Sequence, residues 1–113
     1  MKMENPLEPV GRAALAASRE MLALEPQEKA QALRLMAAGV RSAAEKIVRE
    51  NGLDMEEARK GGRNAAFLDR LLLTPERVEH MARGMEQVAA LPDPVGECIR
   101  EWSVSNIYAG VRK

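Results

Sequence analysis

The chain has 113 residues, 46% of them hydrophobic, a length that suits one modest domain and excludes two. Seventeen basic and seventeen acidic residues cancel, so no net charge draws the chain to polyphosphate backbones or anionic lipid. Three aromatics, one cysteine and one histidine exclude an intramolecular disulfide, a multi-cysteine metal site and an aromatic-rich core; Ala, Leu, Val and Met must fill the interior of closely packed helices.

The predicted elements begin with a helix over residues 9–24, where Val10, Ala13, Ala14, Ala17, Met21 and Leu22 recur at three- and four-residue spacing. Glu25-Pro26 breaks that pattern and opens a second helix, since a proline fits the first turn, where its missing N–H has no partner to lose. Its apolar set, Ala30, Leu33, Ala37, Val40, Ala44, Ile47 and Val48, runs towards Glu50, and Asn51-Gly52 reads as a left-handed terminator. Gly39 lies inside this helix and weakens it unless close packing requires it. Arg34, Arg41 and Arg49 are interleaved with Glu28, Glu45 and Glu50, the pattern of a solvated face rather than a nucleic-acid footprint.

A short helix over residues 53–60 is expected next, stopped by Gly61-Gly62. Asn64 caps another, with Ala65, Phe67, Leu68, Leu71 and Leu72 as its apolar residues. Thr74-Pro75-Glu76 starts a last helix: a capping hydroxyl, a proline at the first position and an acid in the first turn. Val78, Met81, Ala82, Met85, Val88 and Ala89 form its predicted buried stripe, and the helix must end before Pro92 and Pro94. Beyond it Cys98, Ile99, Trp102, Val104, Ile107, Tyr108 and Val111 read as a β-hairpin or extended arm, with Ser105-Asn106 as the turn and Trp102 anchoring the first strand. The organisation is thus a helical segment of about five helices over residues 1–90, then a proline-rich connector and β-arm over residues 91–113.

No catalytic constellation emerges. His80 beside Glu79 reads as a helix-surface residue and Cys98 as a small apolar strand residue. No carboxylate pair is set apart by apolar surroundings. Gly61-Gly62-Arg63-Asn64 lacks the preceding strand and spaced glycines of a phosphate cradle and reads as a helix-to-helix turn. No apolar run has the length of a membrane span or the character of a signal peptide, so the expected location is the cytoplasm.

The order of residues from Leu68 onward resembles a known family. Asp69-Arg70-Leu71-Leu72-Leu73-Thr74, then Met81-Ala82-Arg83-Gly84-Met85, then Leu91-Pro92-Asp93-Pro94-Val95-Gly96, and Trp102 shortly after, are similar to the γ-glutamyl phosphate reductases, a branch of the aldehyde dehydrogenase superfamily. Upstream, Ala16-Ala17-Ser18-Arg19, Glu28-Lys29 and the run from Asn51 to Arg59 agree.

The resemblance implies a mainly α chain, the helical N-terminal segment of an aldehyde dehydrogenase-like α/β fold, ending in a short β-hairpin or arm. It implies reduction of L-glutamate 5-phosphate with NADPH to L-glutamate 5-semialdehyde and phosphate, in proline biosynthesis, through a thioester on a cysteine. The family's chains are several times longer, and their nucleophilic cysteine lies far downstream. No catalytic, cofactor-binding or metal residue is therefore assigned here. Asp69, Arg70, Leu91, Pro92, Asp93, Pro94, Gly96 and Trp102 carry the family motif as structural positions. The expected consequences are an inactive segment that binds no NADP(H) by itself, the rest of the enzyme as its partner, and a possible homo-oligomer through the terminal strand, with no nucleic acid and no membrane. A stand-alone helical interaction or assembly module is the alternative.

Overall fold

The computed structural model describes residues 3–105 and the backbone of residues 111 and 112. Among the described residues five helices precede two short strands: α1 (Glu8–Met21), α2 (Pro26–Ser42), α3 (Ala44–Lys60), α4 (Ala65–Leu71), α5 (Pro75–Ala89), β1 (Ser103–Val104) and β2 (Val111–Arg112). The mainly helical class expected from the periodicity holds.

Several boundaries follow directly from local chemistry. Glu25 is extended at ψ 153° and Pro26 occupies the first turn of α2. The Glu25 N–H donates to Glu28 Oε2 at 2.8 Å, satisfying an amide that the helix itself cannot reach. After Lys60 the Gly62 N–H donates to Arg59 O and the Arg63 N–H to Ala58 O, with Gly62 at φ +73°, the paired closure that lets glycine end a helix. Asn64 caps α4 through Phe67 N, and Thr74 caps α5 through Arg77 N.

The middle of the chain corrects one expectation. Asn51-Gly52 does not terminate a helix, because α3 runs through both residues. Asn51 instead faces inward, 6% exposed, and its side-chain amide is bonded to Leu71 O at the end of α4 and to Leu73 N–H just beyond it. Tertiary hydrogen bonds have overridden a local stop signal. The interruption lies earlier, at Ala43 (φ −93°, ψ 3°), a position with neither proline nor glycine. The Ser42 hydroxyl donates back to Ala38 O at 3.0 Å, a contact that bends helices. Gly39 has no close-packing reason either: nothing lies within 4 Å of where its Cβ would be.

The core lies where α2 packs on α5 and α3 on α4 and α5. Ala37, Met55, Val78, Ala82 and Ala89 are its buried apolar residues, and the alanines let the α2 and α5 backbones approach closely. Lys29 meets Asp93 and Arg41 meets Glu79, so the two helices run antiparallel. The stripe on α5 is narrower than expected: Val78, Ala82 and Ala89 are buried, whereas Met81 and Val88 stay exposed. Among the described residues α1 packs on no other element and buries no side chain. Its predicted stripe, Val10, Ala13, Ala14, Ala17, Met21 and Leu22, is therefore uncovered. The Cα radius of gyration is 22.8 Å, against about 13 Å for a compact domain of similar length.

The strand arm is smaller than the sequence suggested. Ser103 pairs with Arg112 and Val104 with Val111, antiparallel. Cys98 and Ile99 are exposed and precede the strand rather than forming it. Trp102 lies one residue before β1, 51% exposed. Asn106, Ile107 and Tyr108, and with them the expected Ser105-Asn106 turn, lie outside the described residues.

Candidate functional site

The polar chemistry of the chain gathers along the seam between α2 and α5 and at the two ends of α5. Arg41, read from sequence as part of a solvated face, is instead a clamp. Its Nε donates to Glu79 Oε2 at 2.9 Å and its Nη2 to Glu79 Oε1 and Glu86 Oε2, both at 3.0 Å. Glu79 and Glu86 are two turns apart on one face of α5, so one guanidinium fork spans both. Arg83 adds a second contact to Glu79 at 3.3 Å. The hydrogen bonds that Arg41 donates to Glu86 and Glu79 hold its guanidinium well above its usual range. The same bonds lower both carboxyls below the ordinary carboxylate value, against some desolvation.

The motif residues fall into two places. Asp69 and Arg70 lie near the end of α4. Arg77, from the first turn of α5, donates Nη2 to Asp69 Oδ1 at 2.9 Å, Nη1 to Leu72 O at 2.8 Å, and Nη1 to Asp69 O. It thereby satisfies carbonyls that the end of α4 leaves without partners. Arg70 only reaches back to Ala66 O at 3.3 Å and stays at the surface.

Leu91, Pro92, Asp93, Pro94 and Gly96 form the connector after α5. Leu91 is exposed and Gly96 takes φ +86°. Asp93 faces α2: its Oδ2 accepts from Lys29 Nζ at 2.7 Å and its Oδ1 from Val95 N–H at 3.0 Å. The bond from Lys29, then that from Val95, lowers the Asp93 carboxyl below its usual range. Trp102 stands apart, with the Arg100 guanidinium 5.9 Å from its ring centre. Sequence reasoning found the connector and missed its tie to Lys29. It also missed Arg41, Arg77 and Asn51, whose partners are set by packing; the seven-residue spacing of Glu79 and Glu86 was the one visible hint.

His80 is exposed on α5 and Cys98 is exposed beyond the connector. Among the described residues no group of three or more His, Cys, Asp or Glu side chains could hold a metal ion, and no helix is long and apolar enough to cross a membrane. At the Gly61-Gly62-Arg63-Asn64 turn the amides of Gly61, Gly62 and Arg63 already donate to Glu57, Arg59 and Ala58 carbonyls. The Asn64 side chain is engaged in capping α4. These three amides are committed to closing α3.

The chain is 44% identical over 97 residues to the gamma-glutamyl phosphate reductase of Rhodopseudomonas palustris strain HaA2. It is 42% identical over 97 residues to the proteins of the same name from strains TIE-1 and ATCC BAA-98 / CGA009. The match takes in 86% of this chain but 23% of each relative. The chain thus spans just under a quarter of the length of the curated relatives it matches. The resemblance read from the motifs is borne out. No protein-family model matches the chain, and no solved structure does.

Proposed function

We propose that this chain forms the helical N-terminal part of a γ-glutamyl phosphate reductase, the enzyme that converts L-glutamate 5-phosphate to L-glutamate 5-semialdehyde and phosphate with NADPH in proline biosynthesis. The observation that carries the reading is 44% identity sustained over 97 residues against proteins of that name. In this reading residues 1–90 are a helical packing segment and residues 91–113 a connector and arm leading into the catalytic body. The motif positions Asp69, Arg70, Leu91, Pro92, Asp93, Pro94, Gly96 and Trp102 shape that junction and do no chemistry. The nucleophile and the NADP(H) contacts belong to the rest of the longer enzyme, and Cys98, an exposed thiol, has neither role. The cytoplasm is the proposed location.

The exposed apolar residues support a covering role. Val10, Leu15 and Met21 on α1, Leu35 and Met36 on α2, and Met81 and Val88 on α5 face outward, more than a self-sufficient small domain leaves uncovered. The test is enzymatic. The pure 113-residue chain, given glutamate 5-semialdehyde, phosphate and NADP, is expected to reduce none of the nucleotide. Joined to the remaining three-quarters of one of the matched reductases, it is expected to support turnover. Turnover by the pure chain, or a folded fusion without activity, would each defeat the reading.

An assembly module is the second reading, favoured by a two-stranded sheet whose outer edges have no further strand among the described residues. It expects a dimer, or capture of a strand, through the arm. Sedimentation of the pure chain as a monomer that binds no downstream polypeptide would remove it.

A further inference from the structure

The connector leaves α5 and is tied back to the helices through one side chain. Asp93 uses both carboxylate oxygens: one accepts from Lys29 Nζ at 2.7 Å, the other from Val95 N–H at 3.0 Å. Lys29 stands near the start of α2, 64 residues earlier in the chain. The two side chains are 25% and 15% exposed. They help line a groove of about 250 Å³ with Pro26, Ala30, Leu33, Val88 and Leu91. A pair sheltered in this way is screened less than one at an open surface and holds its geometry better.

The rest of the connector is stiff. Pro92 and Pro94 fix the backbone on either side of Asp93. The Glu97 N–H closes a turn on Pro94 O at 3.2 Å, and Gly96 takes a φ of +86°, which glycine adopts without strain. Among the described residues Lys29–Asp93 is the one ion pair between this segment and the helices. A stiff segment fastened at one point takes its direction from that point.

We propose that the Lys29–Asp93 pair is a latch that sets the direction in which residues 97–105 leave the α2–α5 pair. It thereby sets where Cys98, Trp102 and β1 are presented to any strand or surface they meet. The inference stands independently of the reductase reading, because it concerns the arm's geometry in any assembly. With the latch open, the Asp93–Val95 contact still closes the local turn, so the arm pivots as a body and does not unravel.

Cys98 is the chain's one cysteine and is exposed, which gives a direct test. One spin label goes on Cys98 and a second on Lys60→Cys, an exposed position at the end of α3. The label-to-label distance distribution is then read by double electron–electron resonance. One narrow peak is expected for this parent. Asp93→Asn and Lys29→Gln are each expected to lose that peak while keeping the parent's helix content by circular dichroism. The exchange of Lys29→Asp with Asp93→Lys is expected to regain it. A parent distribution that is already broad would overturn the proposal. So would a narrow peak in either folded single variant, or failure of the folded exchange variant to narrow.

Discussion

Replacing Asn51 by alanine separates two explanations of why α3 continues through Asn51-Gly52. If helix propensity governs this site, Asn51→Ala stabilises the chain by up to about 0.7 kcal/mol, since alanine is the better helix former. The structure predicts the opposite sign. Asn51 Nδ2 donates to Leu71 O and its Oδ1 accepts from Leu73 N–H, both at 2.8 Å, with the residue 6% exposed. Alanine leaves a carbonyl and an amide of the α4–α5 connection without these partners. At about 1–3 kcal/mol for each buried group, less the propensity gain and whatever water recovers, the net loss is about 2–4 kcal/mol. With a urea slope of about 2 kcal/mol per molar for a small chain, the unfolding midpoint falls by about 1–2 M. Far-UV circular dichroism follows the transition, and amide exchange at Leu73 reports the local opening. The neighbouring Gly52→Ala is the control: its Cβ would meet nothing within 4 Å, so propensity acts alone and the midpoint rises. An Asn51→Ala midpoint equal to or above the parent's would refute the tertiary account.

Three further outcomes follow from the same geometry. Gly39→Ala in α2 raises the urea midpoint by the equivalent of about 0.5–1 kcal/mol, since its Cβ meets open space; no rise would point to a hidden contact. Thr74→Ala removes the cap on Arg77 N–H and costs about 1 kcal/mol, whereas Thr74→Asp holds the parent's midpoint. Glu79, Glu86 and Asp93 have carboxyls lowered in the folded chain. Their contribution is therefore complete above the unfolded carboxylate value, about 4, and is lost as pH falls through the lower folded values. A urea midpoint that declines in that acid window is expected, with a shallower decline in Arg41→Met; parallel pH profiles for the two chains would contradict the clamp.

The legible parts of the fold were those written in adjacent residues. Glu25-Pro26, Gly61-Gly62, Asn64 and Thr74-Pro75-Glu76 each use only their own backbone neighbours, so reading them needs no knowledge of packing. Asn51-Gly52 misled for the converse reason, because the partners that keep α3 going are at Leu71 and Leu73. The turn at Ala43 carries no proline or glycine and was invisible. Interleaved charges suggested a solvated face around Arg41. Only the antiparallel approach of α5 brings Glu79 and Glu86 to it. The Leu91 to Gly96 run was legible as a connector from its prolines, but not as a latch, since Lys29 is 64 residues away.

The division between buried and exposed positions bears on how the helices are held. Among the described residues Val78 is the largest side chain that is fully buried; the other buried apolar residues are Met55 and three alanines. Apolar burial on that scale gives only a few well-covered side chains, each contributing about 1.5–3 kcal/mol at most. The α2–α5 seam is correspondingly fastened by side-chain ties along its length: Lys29 to Asp93 near one end and Arg41 to Glu79 and Glu86 farther along. Such ties fix register and direction more than they add stability. Met81 and Val88, each one residue before a buried alanine on α5, and Leu35 and Met36 on α2, are left facing outward. On the proposed reading the seam orients two helices so that these outer residues meet a larger body, whose contact supplies the apolar burial that the segment lacks.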